Sequence, residues 1–495
     1  MSEPAPGKER ARQAEKPAPA ADGFDEEALL VEDVETFAED QTLSEDFISA
    51  VADAIERGDA DGARALCADL HPADLADLLG FLSEEERKTL ISFFGGELDS
   101  EVLAEIDFDI RESVVMALRR DKVAEAVADL DTDDAAFILE DLDDDVREGI
   151  LAEMPASDRI ALNAALDYEE ESAGRLMQRE VFAAPAYWTV GQIIDRLRGS
   201  DDLPDRFYEV FVVDPANRPI GSVPLSVLLK TQRDVRIEAI MSDRTLRRIP
   251  VAMDQEEVAY LFERYNLISA PVVDESERLV GMITVDDVVE VVHEESHEDM
   301  LALGGVEADT GLSDTVAETV RSRFSWLAVN LGTAILASLV ISLFDAAISQ
   351  VVALAVLMPI VASMGGNAGT QTLTVAVRSI ATRDLTPANA ARIIWRETLV
   401  GGVNGFLFAI IMGALAAVWY FATTGAATDS WKLGLVVGAA MIINLVCAGL
   451  AGILVPLGLQ RAGADPAVSS AVFVTTVTDV VGFFVFLGLA AAVLL

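Results

Sequence analysis

Residues 468–495 read VSSAVFVTTVTDVVGFFVFLGLAAAVLL, an apolar run of 28 residues with one ionisable side chain, Asp479. A helix needs ~20 such residues to cross a bilayer. Asp479 falls eleven residues into the run, close to mid-membrane. A charge at that depth costs from ~2.5 to over ~10 kcal/mol, so it must be partnered, protonated or wetted. Four further spans precede it, at about 324–344, 350–378, 398–421 and 433–459, and none carries Lys or Arg in its interior. With no internal counter-charge, a bound cation accounts for Asp479 most economically. The plainer alternative is a protonated Asp479 hydrogen-bonded to Asn404 or Asn444.

The loops orient the five spans. The 378–396 connection carries Arg378, Arg383, Arg392 and Arg396, and the 460–466 loop carries Arg461, whereas 345–349 and 422–431 carry no Lys or Arg. Basic loops stay on the cytosolic side. The start, MSEPAPGKER, lacks the apolar core of a signal peptide. The expected protein is therefore multi-pass in the plasma membrane, N-terminus cytosolic and C-terminus outside.

The surroundings of Asp479 suggest which cation. Thr475, Thr476 and Thr478 lie within a turn of it, and the second span contains Met364-Gly-Gly-Asn-Ala-Gly-Thr-Gln371 after Pro359. Such a segment lets backbone carbonyls approach a water-filled path, although small residues also serve plain helix packing. Gly365, Gly366, Asn367, Gly369, Gln371, Thr475 and Thr476 are the expected pore-lining residues. One carboxylate with neutral oxygens suits Mg²⁺, which dehydrates reluctantly and keeps several waters. A twofold dimer with the path on its axis would present Asp479 twice.

Outward from the spans, the charge changes sharply. The 495-residue chain carries −47; residues from Arg321 onward carry +2 and the remainder −49. Binding to nucleic acid needs the opposite sign, so no nucleic-acid partner is expected, and the acidic field instead gathers cations. Cys67 and Cys447 are isolated and form no disulfide or metal motif. Residues 1–45 are rich in Ala, Pro, Glu and Asp and are expected to be disordered.

Two repeats organise the acidic part. Leu70–Ile91 (LHPADLADLLGFLSEEERKTLI) aligns with Leu130–Leu151 (LDTDDAAFILEDLDDDVREGIL) at an offset of 60, with apolar residues at helical spacing and Ser83 and Thr132 placed as N-caps. This predicts an all-α solenoid. Later, Phe211–Asp214 and Pro219–Val223 are short β runs that recur as Pro271–Asp274 and Leu279–Ile283, Gly221 matching Gly281. That arrangement resembles a tandem pair of CBS modules. The resemblance implies a nucleotide-contact pattern at Gly281, Thr284 and Asp287 in the second copy, and so ATP there; Pro224 and Val227 break the pattern in the first.

From Asp286 the chain reads DDVVEVVHEESHEDM. On a helix, Asp287, Glu290, Glu294 and Glu298 share a face with Glu295 beside it, and divalent cations would relieve their repulsion. The segment also contains His293-Glu-Glu-Ser-His297, which fits H-E-x-x-H. A zinc peptidase needs a third ligand in an enclosed cleft, and the remaining histidine, His71, is over two hundred residues away. The pattern is read as a decoy, with a membrane-anchored zinc peptidase kept as a distant alternative. No phosphate-binding loop suggests an ATP-driven pump, and no catalytic residue is assigned: transport, not catalysis, is expected.

The order of these parts resembles the MgtE family of magnesium channels from about Ser44 onward. The most specific segments are GGNAGTQ at 365–371, ATRDL at 381–385, FVTTVTDVVGF at 473–483 and GMITVDDVVEVVHEESHED at 281–299. The resemblance implies a homodimer with its pore lined by the second and fifth spans, and Asp479 as the pore carboxylate. It implies a cytosolic Mg²⁺ sensor formed by Glu290, Glu295, Glu298 and Asp299 of the linker helix, Asp287 and Glu256 of the CBS pair and Asp133 of the solenoid. Asn266, Phe137 and Ala471 depart from residues that relatives carry.

The expected chain is thus multi-domain: a tail (1–45), an all-α acidic cytosolic solenoid (46–168), an α/β tandem CBS pair (172–293), an acidic linker helix (285–320) and a five-helix transmembrane domain (321–495). The expected function is Mg²⁺ import down its gradient, gated by cytosolic Mg²⁺ bound between the acidic elements. The competing expectations are transport of another divalent ion such as Co²⁺ or Mn²⁺, and cation/proton exchange through Asp479.

Overall fold

The computed structural model describes residues 36–38, 42–140, 142–199, 206–242, 246–306, 316–386 and 388–495. Most of the tail expected at 1–45, and residues 307–315 of the linker, lie outside them. The chain divides into two compact units, residues 1–107 with 113–123, and residues 108–112 with 124–495.

Among the described residues ten short helices come first. They are α1 (Glu45–Glu56), α2 (Ala60–Cys67), α3 (Pro72–Phe81), α4 (Glu84–Phe93), α5 (Ser100–Ala104) and α6 (Phe108–Ala117), then α7 (Arg120–Asp129), α8 (Thr132–Glu140), α9 (Asp144–Glu153) and α10 (Ala156–Leu166). The sixty-residue repeat is a helix pair: α3 and α4 recur as α8 and α9. Ser83 caps α4 in a full capping box with Glu86, which satisfies amide groups that would otherwise lack partners. Buried Arg87 donates to the carbonyls of Leu79 (2.8 Å) and Leu82 (3.1 Å) and to Ser113 Oγ (2.7 Å). In the second copy Arg147 pairs with Asp144.

The β region holds two three-stranded sheets of the same design. A short helix α11 (Ala173–Leu176) leads into β1 (Ala183–Pro185), α12 (Val190–Arg198), β2 (Glu209–Val213), β3 (Pro219–Pro224) and α13 (Leu225–Lys230). The second copy runs β4 (Ile249–Pro250), α14 (Gln255–Tyr265), β5 (Ser269–Val273), β6 (Leu279–Thr284) and the linker helix α15 (Val285–Gly304). In each sheet the first strand is parallel to the second and the second antiparallel to the third. Their cores are separate apolar clusters centred on Val210, Val212 and Val223, and on Val258, Val272 and Ile283.

Among the described residues five helices are long and apolar enough to cross a membrane. They belong to α16 (Val316–Ser342), α18 (Ala353–Ala381), α19 (Ala390–Thr424), α20 (Ala427–Ala462) and α21 (Pro466–Leu494), with short α17 (Asp345–Gln350) after the first. The fold class read from the sequence is the one observed: helical solenoid units, a CBS pair, a linker helix and five apolar helices. α20 lies at the centre, and its apolar residues from Leu433 to Leu445 pack with α18 and α21.

Candidate functional site

The membrane part of the site is built on α18, α20 and α21. Asp479 is half-buried, and Thr475, one turn before it, is exposed. The neighbouring hydroxyls cap their own helix: Thr475 Oγ donates to Ala471 O (2.8 Å), Thr476 to Val472 O (2.6 Å) and Thr478 to Thr475 O (2.9 Å). This keeps the threonines compatible with an apolar span, because each hydroxyl proton finds an acceptor. Thr478 is fully buried.

The α18 segment has two sides. Asn367 and Gln371 are exposed, while Gly365 and Gly369 are buried at helix crossings. A side chain at 369 would stand 2.6 Å from Val474 Cγ1 of α21, so close approach of the two helices requires glycine there. Gly366 lies beside Thr478 and is half-buried. The hydrogen bond considered between Asp479 and an asparagine is not the one Asn444 makes: its Nδ2 donates to Val361 O at 2.8 Å. Asn404 is exposed on α19.

The acidic part of the site forms two groups, both within the second unit. In the first, Asp133 on α8 is 8% exposed and its Oδ1 has no hydrogen-bond partner among the described residues. Burial, then Asp287, Asp134 and Asp131, push its carboxyl well above the ordinary range. Asp287 accepts from Thr284 N (3.0 Å) and Oγ1 (2.8 Å). Burial outweighs those hydrogen bonds and, with Asp286 and Asp134, pushes Asp287 up to about 7. Each of the two acids thus sits in a place hostile to a second negative charge.

The second group lies where α14 and α15 meet the N-terminal end of α21. Glu295 accepts from Gln255 Nε2 at 3.0 Å, yet burial, Glu256, Glu298 and Asp254 push it up to about 7. Partial burial, Asp254, Asp299 and Asp465 raise Glu256 against the pull of Arg383, and burial with Asp465 raises Asp299. Asp465 is itself the N-cap of α21, accepting from Ala467 N. Beyond it Ala302 and Leu303 of α15 pack with Ala467, Val468 and Ala471 of α21. The acidic helix therefore touches the helix that carries Asp479.

The linker-helix face differs from the one expected. Glu290 and Glu294 are exposed, whereas Asp287, Glu295, Glu298 and Asp299 are half-buried. Val288 and Val291 are buried on the inner side, so apolar packing, not charge spacing, fixes which acids turn inward. His293 and His297 are both exposed. Among the described residues no group of three His, Cys, Asp or Glu is placed to hold a metal by protein ligands alone. The three departures acquire local roles: Phe137 stacks under Arg111 at 4.0 Å, Asn266 is the left-handed C-cap of α14, and Ala471 fills the α15–α21 contact. Gly281 has a packing reason, since a side chain there would meet Gln178 O at 2.6 Å, and Thr284 Oγ is committed to Asp286 and Asp287.

Sequence reasoning counted Arg383 only as a basic loop residue and missed its contacts. This residue of the α18–α19 loop has a left-handed backbone (φ 56°), pairs with Glu257 of α14 at 3.5 Å and lies 4.4 Å over the ring of Tyr260. Glu257 is 126 residues away, and no local pattern announces such a contact.

Comparison with known proteins gives a consistent picture. A family described as divalent cation transporter, MgtE, matches residues 358–489; the MgtE intracellular N domain matches 70–171, and a CBS domain matches 237–294. The chain is 32% identical over 326 residues to the magnesium transporter MgtE of Enterococcus faecalis, covering 66% of this chain and 70% of that one. It is 28% identical to the Bacillus subtilis magnesium transporter MgtE, with 87% and 93% covered, and 29% identical to that of Thermus thermophilus, with 91% and 99% covered. A crystal structure of the cytosolic domain of the Mg²⁺ channel MgtE in complex with ATP is 29% identical, with a TM-score of 0.46, covering 49% of this chain and 99% of that one.

Proposed function

The chain belongs to the MgtE family of magnesium transporters, and from that premise we propose that it is a Mg²⁺-selective channel importing the ion down its electrochemical gradient. The observation that carries this reading is Asp479, a half-buried carboxylate midway along α21, beside the glycine-containing crossing with α18. One carboxylate per chain suits an ion that passes with most of its water still attached. In a homodimer with the path on the twofold axis, two copies of Asp479 would face it. Asn367 and Gln371 of α18 and Thr475 of α21 supply neutral oxygens along it. A membrane potential negative inside contributes about 2.3 kcal/mol per charge per 100 mV. With the N-terminus cytosolic and the C-terminus outside, entry runs toward the acidic domains.

Those domains are proposed to sense the imported ion. Asp133 with Asp287 would hold one Mg²⁺, and Glu256, Glu295, Glu298 and Asp299 would hold others, with Glu290 adding charge at the surface. The orphaned, buried Asp133 Oδ1 fits a cation ligand. Two carboxylates per ion suffice when water completes the shell. At low cytosolic Mg²⁺ the mutual repulsion of these groups favours an open channel; bound ions favour the compact, closed one, which is coupling by differential binding to two states. An adenine nucleotide at Gly281, Thr284 and Asp287 is the proposed second ligand, and it would share Asp287 with Mg²⁺.

Mg²⁺ flux into proteoliposomes, compared between wild type and Asp479→Ala, tests the central claim. Loss of flux by at least tenfold is expected, the equivalent of about 1.4 kcal/mol or more. Equal flux would remove Asp479 from the mechanism. Flux that follows an imposed pH gradient would instead favour cation/proton exchange.

A further inference from the structure

Asn444 is a fully buried amide on the central helix α20, inside an apolar bundle. Its Nδ2 donates to Val361 O of α18 at 2.8 Å, while its Oδ1 has no hydrogen-bond partner among the described residues. A side chain at Gly365 of α18 would stand 2.2 Å from Nδ2, and one at Gly482 of α21 would stand 2.8 Å from it. The amide is therefore keyed between two glycines on two different helices. Gly482 is three residues after Asp479 and Gly365 begins the GGNAGTQ segment. The key sits about one helical turn from Asp479 along α21.

We infer that Asn444 is a positioning residue for transport, its amide setting the separation of α18 and α21 across which Asp479 meets a hydrated cation. This rests on the reading of Asp479 as the ion site. A leucine would fill the same slot without burying an unpaired acceptor, and burying one costs free energy. The surplus acceptor has a use where helices border a wet path: a water entering the seam would satisfy Oδ1. The same side chain then fixes the width of the path and tolerates its hydration. Width decides whether the ion must shed water, and Mg²⁺ and Ca²⁺ differ most in how readily they do so.

The test measures Mg²⁺ and Ca²⁺ flux into proteoliposomes, with thermal melting of each purified variant. Asn444→Leu keeps volume and removes both polar atoms. It is expected to melt near wild type while its Mg²⁺-over-Ca²⁺ preference falls by about tenfold, the equivalent of one hydrogen bond. Gly365→Ala alone is expected to lose flux, and Asn444→Ala placed in that background to restore it with altered selectivity. Wild-type selectivity in Asn444→Leu overturns the inference. So does full activity of Gly365→Ala with Asn444 intact. If Asn444→Leu does not fold, the double variant decides: restored flux with changed selectivity supports the inference, and wild-type selectivity or no restoration overturns it. Asp479→Ala in the same assay separates the two levels. Intact flux there removes the ion-site reading and this inference together, whereas lost flux with wild-type selectivity in Asn444→Leu removes this inference alone.

Discussion

Asp287 has two hydrogen bonds to its carboxylate and still titrates near neutrality. Hydrogen bonding to a carboxylate favours the charged form; burial and neighbouring acids oppose it, and here they win. The groups facing it are Asp133, Asp134 and Asp286, with Asp131 beside Asp133. The sign of the pH dependence follows. A carboxyl raised to about 7 in the folded protein and ordinary in the unfolded chain (~3.9) makes the folded state hold more protons. Its contribution is fully favourable below about 4 and is lost as pH climbs through about 7. Asp287→Asn keeps an acceptor for Thr284 and never ionises. In chelator it should raise the stability of the protein at pH 8 by up to about 4 kcal/mol, shrinking toward zero as pH falls to about 4. Added Mg²⁺ should then stabilise the variant less than wild type. Melting curves at pH 8 and pH 5 check both, and an equal shift at the two pH values would contradict the assignment.

Elements were legible where their signal is local. The sixty-residue repeat lands α3 and α4 on α8 and α9, and the two β runs of each CBS copy overlap β2, β3, β5 and β6, with Asp214 and Asp274 one residue past the strand ends. Strands β1 and β4 were missed because three and two residues carry no alternation, and each is held by parallel pairing to a distant strand. The five expected spans fall on the five long apolar helices, but three of them begin late. Expected starts at 324, 398 and 433 compare with helices from Val316, Ala390 and Ala427. Hydropathy reads the thickness of the hydrocarbon, whereas a helix continues into water as long as its own hydrogen bonds are met. For the site, the carboxylates were legible by charge, but which ones turn inward depends on Val288 and Val291. The α18–α19 loop illustrates what remains hidden. Arg383 fastens the C-terminal end of α18 to α14 through Glu257 and Tyr260, beside Glu256. Both Arg383 and Glu257 are almost half exposed, so the pair adds at most about 1 kcal/mol and the ring contact a similar amount. Arg383→Ala should leave maximal flux and folding nearly intact. It should raise the cytosolic Mg²⁺ needed for half-closure by about three- to tenfold, as expected for losing contacts of that size. An unchanged half-closure concentration would mean that this loop carries none of the coupling.

At the scale of the whole chain, charge is sharply divided: −49 before Arg321 and +2 from Arg321 onward. A field of that size will attract any cation, so generic screening and specific bridging both predict that salt compacts the acidic part. They separate on valence and geometry. Screening depends on ionic strength, and at 0.15 M its range is already about 8 Å, so added NaCl should mimic Mg²⁺ if repulsion at a distance is what opens the channel. Bridging depends on carboxylates close enough to share one ion. The Asp133–Asp287 group and the α14–α15–α21 group are the ones proposed to bridge in this way, and the second ends on Asp465, the cap of the helix carrying Asp479. Buried pairs are screened far less than exposed ones. Closure by millimolar Mg²⁺ should therefore persist in a background of about 0.3 M NaCl, at which exposed charges are largely screened, and NaCl alone should not close the channel. Single-channel or flux recordings with the cytosolic face perfused by each salt measure this directly. Closure by NaCl at matched ionic strength would assign the gating to the overall field instead of to these two groups.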